Sequence, residues 1–219
     1  SDSVEVITRS HDGSPAVHWT CNESGEYETE AGEMSGHGTT VIMHISESES
    51  EYLSASKIRA MLDKYCSFMP VEIYLSEGDK EELINETVPL WQKNPSDCTD
   101  EEYKEFYQKV FNDYKEPLFW IHLNMDYPFN LKGILYFPKI NLEYETIEGT
   151  IKLYNNQVFI ADNIKEVIPE YLLMLKGVLD CPELPLNVRN IGSVDGIAAA
   201  ISDTVSASKE AATATNVLG

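Results

Sequence analysis

The sequence predicts a mixed α/β protein of the α+β layer type, and three observations carry that prediction. Short apolar runs of strand length, separated by Gly, Ser, Asp and Asn clusters, fill residues 4 to 45. Apolar residues at helical spacing follow Ser/Thr-x-x-Glu capping signatures at Ser48 with Glu51 and at Thr99 with Glu102. Strand-like runs return between residues 118 and 161, so that from residue 46 onward the order is helix, strand, helix, several strands, helix.

Four strands are expected first: Val4 to Thr8, Ala16 to Cys21, Tyr27 to Glu30 and Thr39 to Ile45, where Val41, Met43 and Ile45 share one face. They suggest an antiparallel meander with too few large apolar residues to close a core alone, so it resembles the end of a domain whose helices lie elsewhere. Behind Ser48, Ile58, Met61, Leu62 and Tyr65 keep i, i+3, i+4, i+7 spacing and predict a helix. Residues 70 to 76 read as a strand, and the run Glu77 to Glu82 as a charged surface loop. Behind Thr99, the stripe Tyr103, Phe106, Tyr107, Val110 and Phe111 predicts a helix with a broad aromatic face. Strands are expected at Leu118 to Met125, Leu131 to Phe137, Ile151 to Tyr154 and Val158 to Ala161, the last two joined by a tight turn at Asn155 and Asn156. A final helix is expected from Pro169, capped by Gly177. From residue 190 the chain turns rich in Ala, Ser and Thr, with Val194, Ile197, Ile201 and Val205 on a thin helical stripe, and reads as low-complexity tail.

The 219 residues carry 37 acids against 16 bases, a formal charge of −21. That balance argues against nucleic acid and anionic membrane as partners, since neutralising phosphates takes Lys and Arg. The excess is steepest over residues 1 to 50, where ten acids face the single base Arg9. No apolar run approaches the roughly 20 residues of a spanning helix. Cys21, Cys66, Cys98 and Cys181 form no C-x-x-C pair, which suits reduced thiols in a cytoplasmic protein, and His37 and His44 lack the spacing of a metal site. The start at Ser1 without Met suggests an excised segment.

Pro89-Leu90-Trp91, Asn94-Pro95-Ser96-Asp97, Thr99, Glu101-Glu102-Tyr103, Phe106-Tyr107, Asn112-Asp113 and Pro117-Leu118 stand in an order that resembles the middle segment of the ninety-kilodalton heat-shock (heat-shock protein 90) chaperones of bacterial type. The resemblance continues through Ile134 to Pro138, Ile151 to Tyr154, Val158-Phe159-Ile160, Ile168 to Leu172, Lys176-Gly177-Val178 and Leu184-Pro185-Leu186-Asn187-Val188. It implies residues 1 to 46 as the closing strands of a GHKL-type ATPase domain, 47 to 188 as the first part of a middle domain with the ribosomal-protein second-domain fold, and 189 to 219 as tail. It further implies a homodimeric, ATP-driven chaperone, with Mg²⁺ on the phosphates, that binds unfolded or partly folded client proteins in the cytoplasm. The helices bearing the water-orienting Glu, the Mg²⁺-binding Asn and the adenine-binding Asp are not in this sequence, so neither ATP hydrolysis nor bound cofactor is expected of it alone.

Residue by residue, the resemblance makes Gly38 and Thr39 nucleotide-site residues and Arg189 the γ-phosphate arginine, although Arg189 stands one place earlier than in the family pattern. Phe159 and Asn187 become supports of the catalytic loop, Phe159 being also a plausible core residue of a strand. Tyr114, at a position where relatives carry Trp, and Leu142, Tyr144 and Ile147, set among acids, become client-binding residues, with a helix-end staple the alternative for Tyr114. Trp91 and Trp120 are expected to be buried. The rival function is an acidic protein-interaction adaptor with no nucleotide dependence, and a remote third is a hydrolase using Cys181 or His122.

Overall fold

The structure, a computed structural model, describes residues 2–126, 130–139, 149–163 and 174–183. The expected residues Leu142, Tyr144, Ile147, Asn187 and Arg189, and the tail, lie outside them. The chain divides into two compact units, Ser1–Met61 and Leu62–Gly219.

The first unit is a four-stranded sheet of β1 (Ser3–Arg9), β2 (Val17–Asn22), β3 (Tyr27–Ala31) and β4 (Gly38–His44). Its order is β3-β2-β1-β4 with antiparallel pairing throughout. Only β1 to β3 form the expected meander; β4 crosses to the free side of β1, where Val6 faces Val41 and Val4 faces Met43. Register therefore gathers Val4, Val6, Trp19, Cys21, Val41 and Met43 on one face, and Val41 and Met43 remain 57% and 61% exposed. Glu5, His18, Glu30 and His44 share the opposite face.

The capping box expected at Ser48 does not form. Residues Glu47–Leu53 make a 3₁₀ turn capped without a side-chain bond at Ser46, and Glu51 bonds Lys57 Nζ at 2.8 Å instead. Helix α1 (Ala55–Tyr65) starts later and has no buried residue, so its apolar stripe is only partly covered. The signal failed because nothing buried anchors the serine- and glutamate-rich turn, leaving its local hydrogen bonds to choose among near-equal alternatives.

In the second unit, the charged run at residue 77 is a hairpin rather than a loop. β5 (Tyr74–Glu77) pairs with β6 (Lys80–Leu83) across a two-residue turn in which Gly78 adopts φ 61°. Asn85 anchors this hairpin: its Nδ2 donates to the Met69 and Val71 carbonyls and its Oδ1 accepts from Ile73 N–H. Trp91 is buried as expected and sits in a 3₁₀ turn, Leu90–Gln92. Helix α2 (Asp100–Phe111) carries the expected capping box, with Glu102 N–H donating to Thr99 Oγ1 and Thr99 N–H to Glu102 Oε2.

α2 lays Tyr103, Phe106 and Tyr107 on a five-stranded sheet of β7 (Phe119–Met125), β8 (Leu131–Phe137), β9 (Thr150–Asn155), β10 (Val158–Asp162) and β11 (Lys176–Asp180). Its order is β10-β9-β11-β8-β7, antiparallel except for the parallel pair β9 and β11. The β9–β10 turn falls at Asn156 and Gln157, one residue later than expected, with φ 48° and 67°. Gly177 is not a helix cap. It is a strand residue of β11, where a Cβ would come within 2.8 Å of the Ile134 carbonyl, and a Cβ on Gly133 of β8 would strike the Val178 carbonyl. The two sheet faces bury different cores. Leu123, Leu131, Leu135, Ile151, Leu153 and Leu179 fill one, and Phe68, Trp91, Tyr103, Phe106, Tyr136 and Tyr154 the other. Ring centroids 4.7–5.8 Å apart tie Phe68, Trp91, Phe106 and Tyr154 together.

Candidate functional site

In the first unit, Gly38 opens β4 at φ 142° beside Arg9, with open space where a Cβ would be. Thr39 Oγ1 lies 2.8 Å from Thr8 Oγ1, and Thr8 Oγ1 also donates to the Gly38 carbonyl. The Arg9 guanidinium is turned elsewhere, donating to the Ser14 and Met34 carbonyls. This corner therefore presents hydroxyls and accessible backbone without a committed cation. On the charged face, His44 Nε2 (2.5 Å) and His18 Nε2 (3.0 Å) meet the two oxygens of Glu5, and these bonds, that from His44 foremost, hold the Glu5 carboxyl below its ordinary range. Among the described residues no group of three or more His, Cys, Asp or Glu is arranged to hold a metal ion.

In the second unit, Phe159 is half-buried in β10, its ring 5.6 Å from Tyr154 and 5.8 Å from Tyr65. Core packing thus accounts for its position. Tyr114 is 80% exposed, so it is not a buried staple. It follows the left-handed Asn112 that ends α2 and precedes Leu118 and Phe119, both exposed at the start of β7. Phe119 stacks on Phe137 with centroids 4.0 Å apart. β7 ends the described sheet, bonded to β8 on one side. Exposed aromatic surface and a strand edge with no described partner therefore coincide here. Trp120 is only half-buried, stacked on Tyr103 at 5.0 Å.

Polar groups on the aromatic face converge on Asp180, which sequence reasoning missed. Its Oδ2 accepts from Trp91 Nε1 (3.1 Å), Gln92 Nε2 (3.2 Å) and Gln157 N–H (3.0 Å). Gln157 in turn donates its amide to the Phe68 and Thr87 carbonyls, joining the turn to the segments beneath it. Burial raises the Asp180 carboxyl above its usual value against the pull of these bonds. A carboxylate closing the apolar run Val178-Leu179 was the available signal. The hydrolase candidates are bound elsewhere. Cys181 is fully buried and directs Sγ to Glu183 at 3.2 Å, while His122 Nδ1 meets Tyr103 OH at 2.7 Å and burial depresses its pKa.

Residues 76–191 match the family described as Hsp90 protein. The chain is 44% identical over 200 residues to chaperone protein HtpG of Bacteroides fragilis, covering 86% of this chain and 29% of that protein. It is 45% identical over 200 residues to HtpG of Porphyromonas gingivalis, with the same coverage, and 33% identical over 192 residues to HtpG of Desulfitobacterium hafniense, covering 86% and 31%. The chain thus spans less than a third of the length of these relatives. The match does not favour a free-standing adaptor. No helix of the described residues is long and apolar enough to cross a membrane. The ordered motifs, the α2-covered mixed sheet that carries them and the match over more than half of its residues make this chain a member of the Hsp90 chaperone family.

Proposed function

We propose that this chain is a client-holding segment of an ATP-dependent chaperone, which assists folding in the cytoplasm as a homodimer by binding unfolded or partly folded proteins. The observation that carries the reading is the exposed apolar surface of Tyr114, Leu118 and Phe119, two of them aromatic, beside the outer strand β7 of the described sheet. An extended apolar segment can pair its backbone with an open strand edge while exposed rings take its side chains. Leu142, Tyr144 and Ile147 are proposed to add to that client surface.

Nucleotide chemistry belongs to the whole chaperone. ATP with Mg²⁺ would supply its driving reaction, and this chain would contribute Gly38 and Thr39 to the pocket, Arg189 to the γ-phosphate, and Phe159 and Asn187 as supports. The Thr8 and Thr39 hydroxyls fit a phosphate oxygen, but Arg9 is spent on carbonyls, so the described corner offers no charge to stabilise a transferring phosphoryl group. Turnover by the 219-residue chain alone is therefore not expected.

Light scattering of a heat-aggregating enzyme tests the holding role. The chain is expected to suppress aggregation, and Tyr114→Ala with Phe119→Ser to lose most of that protection at unchanged circular dichroism. Undiminished protection by the double variant overturns the client surface. Inhibitor-sensitive ATP turnover by the isolated chain overturns the division of labour.

A further inference from the structure

Asp180 is 3% exposed, its hydrogen bonds from Trp91, Gln92 and Gln157 all fall on Oδ2, and the Asn156 backbone N–H also favours its charged form. Oδ1 is buried and has no hydrogen-bond partner among the described residues. The three donors are neutral, and a buried carboxylate left with a bare oxygen is costly unless a cation or further donor reaches it. Lys132 is its cross-strand neighbour, but Lys132 Nζ is 3.0 Å from Gln92 Oε1.

Asp180 lines a cavity of about 270 Å³ walled by Pro70, Gln92, Asn130, Lys132, Asn156 and Pro182. That volume lies just under the range of about 300–1,000 Å³ usual for small-molecule sites and suits one long side chain. Four lining residues, Gln92, Asn130, Asn156 and Gln157, carry side-chain amides, whose oxygens can accept hydrogen bonds. Glu183, which accepts from Asn130 N–H at 3.2 Å, adds a second negative charge beside it. Asp180 and Glu183 outweigh Lys132 locally, and the whole chain stands at −21, so the field draws cations in.

We propose that this cavity binds one cationic side chain of a partner protein, arginine in preference to lysine, with Asp180 Oδ1 as its acceptor. A guanidinium presents five donors in a plane and sheds water more readily than an ammonium, which matches one carboxylate oxygen ringed by amides. The site rests on the sheet and the Leu90–Gln92 turn, independently of the client surface on β7.

The test is a titration of the ¹⁵N-labelled chain with Nα-acetyl-arginine amide, against Nα-acetyl-citrulline amide, which has the same shape without the charge. The Trp91 indole N–H is the reporter, because it is bonded to Asp180 and Trp91 is 1% exposed. The arginine compound is expected to shift it saturably and the citrulline compound to leave it unmoved. Asp180→Asn is expected to weaken the arginine complex about tenfold or more. Should Asp180→Asn not fold, Lys132→Met serves, since removing a competing cation is expected to tighten binding. A response shared by both compounds, no saturable response, unchanged affinity in Asp180→Asn, or weaker binding in Lys132→Met each overturns the proposal.

Discussion

Replacing Asp180 by alanine removes the common acceptor of three donors from the Leu90–Gln92 turn and the β9–β10 turn, and Trp91 Nε1–H is left in a buried aromatic cluster. Breaking a buried network of this kind costs about 3–5 kcal/mol, on the order of 10 °C in Tm for a domain of this size. Asp180→Asn keeps an oxygen at the hub and deletes the charge, so its cost at neutral pH is smaller. The two states are then separated by pH. Burial raises the folded-state carboxyl above 3.8, so the folded chain binds this proton more readily than the unfolded chain. Wild type therefore gains stability from Asp180 as pH falls through the raised folded value toward 3.8, and that contribution is gone at neutral pH. The amide introduced by Asp180→Asn does not titrate, and the other ionisable groups are common to both proteins. Urea unfolding of wild type and Asp180→Asn at pH 7 and pH 5 isolates the effect: the difference should move toward wild type on acidification. A difference that stays flat, or moves the other way, refutes the claim that desolvation dominates at this carboxyl.

Asp113 should behave with the opposite sign. Burial pushes its carboxyl up, but hydrogen bonds from Lys176, Lys115 N–H and Tyr107 OH together hold it below 3.8, so its contribution is present above 3.8 and lost as pH falls through the lowered value. Lys176→Met should reduce that acid-labile part, read as a shallower loss of urea stability below pH 4. Gly133→Ala forces a methyl into the Val178 carbonyl of the neighbouring strand and should destabilise by about 3 kcal/mol or prevent folding, seen in Tm and soluble yield. Thr99→Ala removes one half of the capping box and should cost about 1 kcal/mol in urea unfolding, whereas Ser48→Ala, which has no capping bond to lose, should cost almost nothing.

Local signals were legible where a hydrogen bond and a buried stripe agreed. Thr99 and Glu102 bond each other in the first turn, and Tyr103, Phe106 and Tyr107 beyond them are buried, so propensity and packing favour one helix start. At Ser48 the same pattern has no buried residue behind it, and a 3₁₀ turn results. β8 was readable end to end because its apolar run is buried on both faces, whereas β6 alternates nothing but charge and is a strand through its turn and partner β5. Gly177 looked like a helix end because a lone glycine after an apolar stretch commonly is one; its role as a contact between β11 and β8 depends on Ile134 and Leu135, which are far from it in sequence.

Sequence alone determined the family, the acidic balance, the α2 helix and most strands of both sheets, because these rest on periodicity, capping chemistry and motif order along the chain. The tertiary structure decided that β4 lies beside β1, that β11 runs parallel to β9 in the middle of its sheet, and that Trp91, Gln92 and Gln157 meet on Asp180. Those facts depend on which distant groups share a low-dielectric interior, where a carboxylate must find donors and a strand must find edges, and no local pattern encodes that choice.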